Sequence, residues 1–231
     1  MRTLQERILI SAVIPVLNAA ATLPRTLAML RGSAMFAETL VVDGGSTDDT
    51  VALAKSAGAQ VIAAPRGRGG QLAAGAAAAS GDWLFFLHAD CRLEPGWEQA
   101  TEAFLAVPGA ESRAGYFDLA LDDPAPAARR LECIVAWRCR VLALPYGDQG
   151  LLIARCLYDE VGGFAPLPLM EDVEIVRRLG RRCLARIGAS CFTSAQRYRR
   201  DGYVWRPLRN LVCLSLYFAG VPPARIVRFY G

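Results

Sequence analysis

Two short strings in the chain combine residue types that can do chemistry. The first is Leu87-His88-Ala89-Asp90, closing an apolar run, and it holds the single histidine. The second is Glu171-Asp172, adjacent acids after the Pro-rich stretch Pro166-Leu167-Pro168-Leu169-Met170. Mg²⁺ often keeps several waters and binds through one or two carboxylates plus substrate phosphates. Asp90 can therefore anchor a metal if a diphosphate supplies the other oxygens. A carboxylate such as Asp172 or Glu171 can act as general base toward a hydroxyl. Each string also has a purely structural reading. Asp90 caps the following loop with His88 as a strand-end residue, and Glu171-Asp172 complement the positive end of a helix starting there.

The elements that must position these residues follow from hydrophobic periodicity. Residues 8–16 read as a buried parallel strand ending at Pro15. Residues 19–31 have helical spacing, with Leu23, Leu27 and Leu30 on one face. A second strand, 38–42, is closed by Asp43-Gly44-Gly45; Ser46 or Thr47 caps the next helix, whose first turn holds Asp48 and Asp49. Residues 59–64 are a third strand, followed by the glycine-rich loop Arg66-Gly67-Arg68-Gly69-Gly70 and an alanine-rich helix to about residue 80. Residues 82–88 are a fourth strand and 95–107 a helix. Such alternation predicts a doubly wound α/β sheet whose ligands bind beyond the C-terminal strand ends. Pro15–Asn18, Asp43, Arg66–Gly70 and His88–Asp90 fall there. The second half predicts strands at 115–121, 149–154, 183–187 and 190–194. Its helices are 126–144 (carrying Arg129, Arg130, Arg138 and Arg140), one from Met170-Glu171-Asp172 to about 180, and an interrupted one over 203–229.

Several function classes are excluded. No G-x-x-x-x-G-K-[ST] string occurs, which argues against a Walker-type nucleotidase. Gly67-Arg68-Gly69-Gly70 imitates a dinucleotide fingerprint, but it follows the third strand and lacks the third glycine. The 231 residues are 53% apolar and 21% charged, which predicts one globular domain over 1–231 with no linker or repeat. Net charge is +4, and every cation but Lys55 is Arg, a bias that genome composition explains. Residues 1–115 carry 9 basic and 11 acidic side chains, a balance of −2; residues 116–231 carry 17 and 11, a balance of +6. That excess suits a phosphate-bearing ligand or an anionic membrane surface and is too small to argue for nucleic acid. Seven Cys without a C-x-x-C predict reduced, mostly buried thiols in a cytoplasmic protein. Met1–Arg7 does not resemble a signal peptide, and no apolar run is long enough to span a membrane.

The motifs gain meaning in order. Pro15-Val16-Leu17-Asn18, Val41-Val42-Asp43-Gly44-Gly45-Ser46-Thr47-Asp48, Arg66-Gly67-Arg68-Gly69, His88-Ala89-Asp90 and Glu171-Asp172 together resemble the family-2 glycosyltransferases of the GT-A fold, over about residues 10–230. Gly69-Gly70-Gln71-Leu72, Leu87-His88-Ala89-Asp90, Pro145-Tyr146-Gly147-Asp148-Gln149-Gly150 and Pro168-Leu169-Met170-Glu171-Asp172-Val173-Glu174 are similar to the bacterial subgroup called selenodomain-associated transferase 2. The resemblance implies a Rossmann-like mixed, mainly parallel sheet flanked by helices, with a helical C-terminal segment. It implies a nucleotide-binding half over about 1–115 and an acceptor and catalytic half over about 116–231. The implied reaction is metal-dependent, inverting, hexosyltransferase-like transfer from a nucleotide-diphosphate sugar, UDP-sugar favoured, to an acceptor.

Residue by residue, the resemblance makes Asp172 the base and Glu171 its neighbour and second choice. Pro15, Asn18 and Asp43 would hold the base and ribose. Arg66, Gly67 and Gly69 would let the backbone approach the nucleotide, and Asp148 and Gln149 would line the donor-sugar or acceptor side. Arg197 would clamp phosphate. Asp90 would bind Mg²⁺ or Mn²⁺, with His88 as a weaker ligand. The sequence departs from the family pattern at Ala19, His88, Ser194 and Tyr198, where Glu, Asp, Gln and Trp are usual. Those departures keep open a non-catalytic relative that binds a nucleotide or a partner. A nucleotidyltransferase on a similar sheet fits less well, because Pro15–Asn18 is not a glycine-rich loop. The segment 203–229 reads as a helix packed in the core or at a homo-oligomer interface. It also reads as an interfacial helix at the inner face of an anionic membrane, and the helix 126–144 could join either surface.

Overall fold

In the computed structural model, which describes residues 8–230, the first apolar run becomes β1 (Ile10–Val16). The expectation about Met1–Arg7 lies outside the described residues. β1 is followed by α1 (Leu23–Arg31), β2 (Phe36–Asp43), α2 (Thr50–Ser56), β3 (Gln60–Ala63), α3 (Arg68–Ala78) and β4 (Trp83–Phe86). Then come β5 (Arg92–Leu93), α4 (Trp97–Leu105), β6 (Ala114–Leu121), α5 (Pro126–Leu142), β7 (Leu151–Ala154) and α6 (Arg155–Glu160). The chain continues through α7 (Glu171–Cys183), β8 (Leu184–Thr193), α8 (Gln196–Asp201), α9 (Trp205–Phe218) and α10 (Pro223–Tyr230).

The strands form one eight-stranded sheet in the order β3-β2-β1-β4-β7-β6-β8-β5. β1 to β4 are mutually parallel, β7 runs antiparallel between β4 and β6, β8 is parallel to β6, and β5 is antiparallel to β8. This is the mixed, mainly parallel, helix-flanked sheet of the GT-A fold. β1 is continuously apolar because both its faces are covered. Val13 packs with Leu40, Val42 and Leu72 on one side, while Ile14 joins Leu23 and Phe85 on the other. A third cluster seats α5 on β6 through Leu131, Val135, Tyr116 and Leu121.

The structure moves several expected boundaries, each for a physical reason. The helix expected from residue 19 begins at Leu23, because the backbone N–H groups of Ala19 and Ala20 donate to Thr50 and Asp48 on the β2–α2 loop. β4 stops at Phe86, two residues early, so His88 lies in a loop and not in the strand. The two strands expected at 183–187 and 190–194 are one, β8, with a register irregularity opposite Tyr116–Asp118 where Gly188 takes φ +89°. α6, α8 and the two-residue β5 had no counterpart in the sequence reading. No helix among the described residues is long and apolar enough to cross a membrane.

α3 lies against β1 and β2 through a glycine. A Cβ at Gly75 would sit 2.3 Å from a Val13 methyl and 2.8 Å from a Val42 methyl. Alanine would gain about 1 kcal/mol of helix propensity. Overpacking against two stiff β-branched side chains costs roughly 1–3 kcal/mol, so the clash outweighs the propensity gain. Gly75→Ala is therefore expected to lower the urea midpoint of unfolding at unchanged slope; a raised midpoint would show that α3 can shift freely on the sheet.

Candidate active site

The C-terminal ends of β1, β2 and β4 face one edge of the sheet, and two loops there are latched together. Asn18, in the left-handed region at φ +51°, accepts the Thr47 N–H at 2.8 Å on its Oδ1, and its own N–H donates to Ser46 Oγ at 2.9 Å. The buried Asp43 carboxylate accepts the N–H groups of Gly45 and Ser46 at 3.1 Å. Pro15 lies in β1 beyond the last β4 pairing, Val13 with Phe86, so its missing N–H costs no ladder bond on that side. The Gln71 amide donates to the carbonyls of Val16 and Val42 at 2.8 Å each, fastening the two strand ends to α3.

The glycine-rich loop has a different use from the one expected. Gly67 begins α3 at φ +146°, and Arg66 is exposed. At Gly69, however, a Cβ would lie 2.2 Å from the Ala165 carbonyl oxygen, and its N–H donates to the Leu167 carbonyl at 3.1 Å. Gly69 thus admits the 165–167 backbone, the segment that leads to the acids of α7. Met170, non-glycine at φ +66°, turns that segment into the helix. An outlier held in this way is typical of a site whose geometry the surroundings dictate.

Two acids emerge from that turn in opposite environments. Asp172 is half-buried; its Oδ2 accepts the Gly147 N–H at 2.8 Å and its Oδ1 the Val173 N–H at 2.7 Å. Glu171 is 1% exposed; Arg68 donates to its Oε1 at 3.2 Å, while its Oε2 has no hydrogen-bond partner. Burial first, and the neighbouring Asp172 second, push the Glu171 carboxyl up to about 7, against the opposing pull of Arg68. Gly147 is the meeting point of the site. A Cβ there would lie 2.7 Å from His88 Nε2 and 3.5 Å from Asp172 Oδ2.

Asp148 follows directly. Its Oδ1 is buried without a partner, and burial, with Asp172 and Asp90 adding to it, pushes the carboxyl up to about 6 although Arg138 opposes. Burial, then the charges of Arg68 and Arg197, hold the His88 imidazole well below its ordinary range, so it is neutral at pH 7 and able to act as a ligand. Donor atoms of His88, Asp90 and Cys91 lie within 4.8 Å of one another. Cys91 is a poor member of this set. Its buried thiol donates to the Asp148 carbonyl at 3.6 Å, and a hydrogen bond with Cys191, followed by burial, keeps it protonated. The remaining carboxylate and imidazole donors, with the orphaned Asp148 oxygen nearby, fit a hard divalent cation. A cleft opens between His88, Gly147, Glu171 and Asp172, lined also by Phe86 and Phe164.

Of the expected residues, His88, Asp90, Asp148, Glu171 and Asp172 are thus brought together, with Asp43 and Asn18 at the neighbouring strand ends. Arg197 is exposed on α8, close enough for its charge to reach His88. Gln149 is the correction. It is 1% exposed; its amide donates to the Phe117 carbonyl at 2.9 Å, and its Oε1 accepts from Tyr146 N–H and Arg138 at 3.2 Å. It props the 146–149 turn from behind and does not line the cleft. Arg138 of helix α5 has a role at the site that the sequence reading did not assign. Arg138 stacks 3.4 Å from the Tyr146 ring centre and donates to the Leu144 carbonyl at 2.8 Å. Periodicity held no signal for that role. Arg68 and Gln71 lie within the glycine-rich motif, Arg68 between two glycines and Gln71 directly after the last.

The raised Glu171 carboxyl makes stability depend on pH. A carboxyl whose folded value is raised contributes stability that is complete below its unfolded value and lost as pH rises through the folded one, here about 7. Glu171→Gln keeps the acceptor for Arg68 and removes the proton. Its melting temperature relative to the parent is expected to climb between about pH 5 and about pH 8. A difference that stays flat across that range would mean Glu171 ionises freely.

Residues 11–120 match the family model described as Glycosyl transferase family 2. No curated protein matches the chain. Among solved structures, the chain is similar to glucosyl-3-phosphoglycerate synthase from Mycobacterium tuberculosis in complex with Mn²⁺, UDP and glucosyl-3-phosphoglycerate. Identity is 23%, covering 92% of this chain and 80% of that one, with a TM-score of 0.63. The same protein with Mg²⁺ and UDP gives 23% identity, the same coverage and a TM-score of 0.62. At that identity the likeness establishes the fold, and it extends the match beyond residue 120. The family model covers Asn18, Asp43 and Asp90, so residues 11–120, which carry the first strands of the sheet, are similar to glycosyl transferase family 2, and the solved structures extend the likeness in fold over the rest of the chain.

Proposed function

We propose that the protein transfers a sugar from a nucleotide-diphosphate sugar, with UDP as the favoured nucleotide, to an acceptor hydroxyl with inversion at the anomeric carbon. The observation that carries this reading is the convergence of Asp172, Glu171 and His88 on one cleft, with Asp148 and Asp90 close behind them. A binding protein would have no need to hold so many acids together against burial. The solved relatives contain UDP with Mn²⁺ or Mg²⁺, which supports the choice of donor and metal.

In this reading Asp43 and Asn18 present acceptors to the base and ribose, and Arg66 and Arg197 supply charge toward the diphosphate. Asp90, with His88 as a second donor, would hold a divalent cation, which when bound supplies charge stabilisation to the departing nucleoside diphosphate. Asp172 is the base. Its two oxygens are aimed by the Gly147 and Val173 N–H groups, and each keeps a lone pair for the acceptor proton. Glu171, largely deprived of water, orients Arg68 and keeps a proton near pH 7. In-line displacement passes the acceptor proton to Asp172 as the anomeric bond breaks. The seven free thiols support a reducing, cytoplasmic setting.

Calorimetric titration with UDP, GDP and dTDP, each with and without Mn²⁺, tests the donor site. Metal-enhanced binding of UDP is expected, and no metal-enhanced binding of any of the three would end the assignment. Asp90→Ala should weaken the metal-dependent part only. Asp172→Asn should keep nucleotide binding while donor turnover falls by about 10²-fold or more; normal turnover would exclude Asp172 as the base.

A further inference from the structure

The second half of the chain carries a surface that the transfer reaction does not use. On α5, Ile134, Trp137 and Val141 follow one another at helical spacing and are all exposed, Trp137 by 56%. On α9, Trp205, Leu208, Leu211 and Val212 do the same, Trp205 by 72%. The sequence allows both a core or homo-oligomer helix and an interfacial membrane helix over 203–229, and of α9 only Arg206, Cys213 and Leu214 are buried. Phe229 of α10 adds another exposed aromatic.

Both helices are anchored at the same two regions. At their N-terminal ends, Asp123 before α5 accepts the Tyr203 hydroxyl at 2.8 Å and the Arg199 guanidinium at 2.8 Å, just before α9. At their C-terminal ends both meet α7. Arg181 donates to the Arg140 carbonyl on α5 at 2.8 Å, and Arg177, one turn earlier, lies 4.9 Å from the Phe218 ring centre on α9. Seventeen and fourteen residues are 25 and 21 Å of helix at about 1.5 Å per residue, so the stripes are of similar length.

Charge decides what covers this surface. Residues 175–231 contain 12 Arg, no Lys and a single acid, Asp201. Arg130, Arg140, Arg177, Arg182, Arg225 and Arg228 form no ion pair among the described residues. A two-fold dimer would set this patch against itself and bring arginines to arginines, because the acids beside it, Asp122, Asp123, Glu132 and Asp201, are already paired with Arg129, Arg199, Arg200, Arg206 and Arg209. Tryptophan and aliphatic side chains beside unpaired arginines match the boundary of an anionic lipid layer, where the rings enter the headgroup region and the guanidinium groups meet phosphate.

We infer that the paired faces of α5 and α9, with α10 at their side, dock the protein peripherally on an anionic phospholipid bilayer. The docked helices are those that end at the cleft's supports: α5 carries Arg138 under Tyr146, and α7, which links both helices, begins with Glu171-Asp172. The inference does not depend on which donor or acceptor the cleft takes.

The test uses the full chain and vesicles of phosphatidylglycerol with phosphatidylcholine, against phosphatidylcholine alone, read by co-sedimentation. Binding to the anionic vesicles only is expected, lost at high salt. Tryptophan emission should shift to the blue, because Trp137 and Trp205 are exposed while Trp83 and Trp97 are already buried. Two paired variants, Trp137→Ser with Trp205→Ser and Arg225→Gln with Arg228→Gln, alter exposed side chains, and circular dichroism checks their fold. Each should weaken vesicle binding by about tenfold or more. Absence of binding to the anionic vesicles, or binding that either variant leaves unchanged, overturns the inference. A concentration-dependent dimer in analytical ultracentrifugation that the tryptophan pair abolishes also overturns it, by assigning the surface to a second copy.

Discussion

The site depends on keeping carboxylates together in a place that does not favour them. Asp90, Asp148, Glu171 and Asp172 come from three separate stretches of chain, and two of them are buried enough for their carboxyls to rise to about 6 and about 7. Desolvation and mutual repulsion both oppose such a cluster. The cations within reach, Arg68 and Arg138, only partly offset it. Arg68 meets one oxygen of Glu171, and Arg138 is committed to Tyr146, Leu144 and Gln149. The orphaned oxygens of Asp148 and Glu171 are the unpaid remainder, and a site that meets a metal and a diphosphate has a use for them.

Apolar packing elsewhere supplies what the cluster costs. β1 and β4 are buried on both faces, and α3 approaches β1 and β2 so closely that a side chain at Gly75 would meet Val13 and Val42. From that frame, a few polar clamps reach the edge. Gln71 joins two strand ends to α3, Asn18 joins two loops, and Gln149 fixes the 146–149 turn from inside. Three glycine positions then decide how near the segments come. Gly69 lets 165–167 lie on α3, and Gly147 lets His88 and Asp172 share one wall. At Gly75 the helix seats on the sheet. The glycine-rich strings are therefore contact surfaces between backbone segments as much as they are approaches for a ligand.

The second half shows the same division between core and surface. α7 is the hinge of the arrangement, since its first turn carries the two acids and its later turns carry the arginines that touch α5 and α9. The positive balance of residues 116–231 is consequently not all directed to phosphate in the cleft. Part of it rims an apolar face on the outside of the molecule.

The sequence alone determined the fold class, because a two-sided sheet demands continuous apolar strands and its helices demand three-to-four-residue spacing. Both patterns are local and legible, as Ile8–Val16 and the Leu23, Leu27, Leu30 stripe show. It also determined the strand-end positions of Asp43 and Asp90 and the order of motifs that marks the family. Only the tertiary structure decided which neighbours of those residues face the cleft. Asp148 and Gln149 are adjacent in the chain, yet one faces the acids and the other is consumed by the Phe117 carbonyl and Arg138. Arg138 and Arg140 lie on one helix, yet one stacks behind the site and the other is exposed. Direction of that kind is set by contacts between segments distant in sequence, and no periodicity within a single segment encodes it.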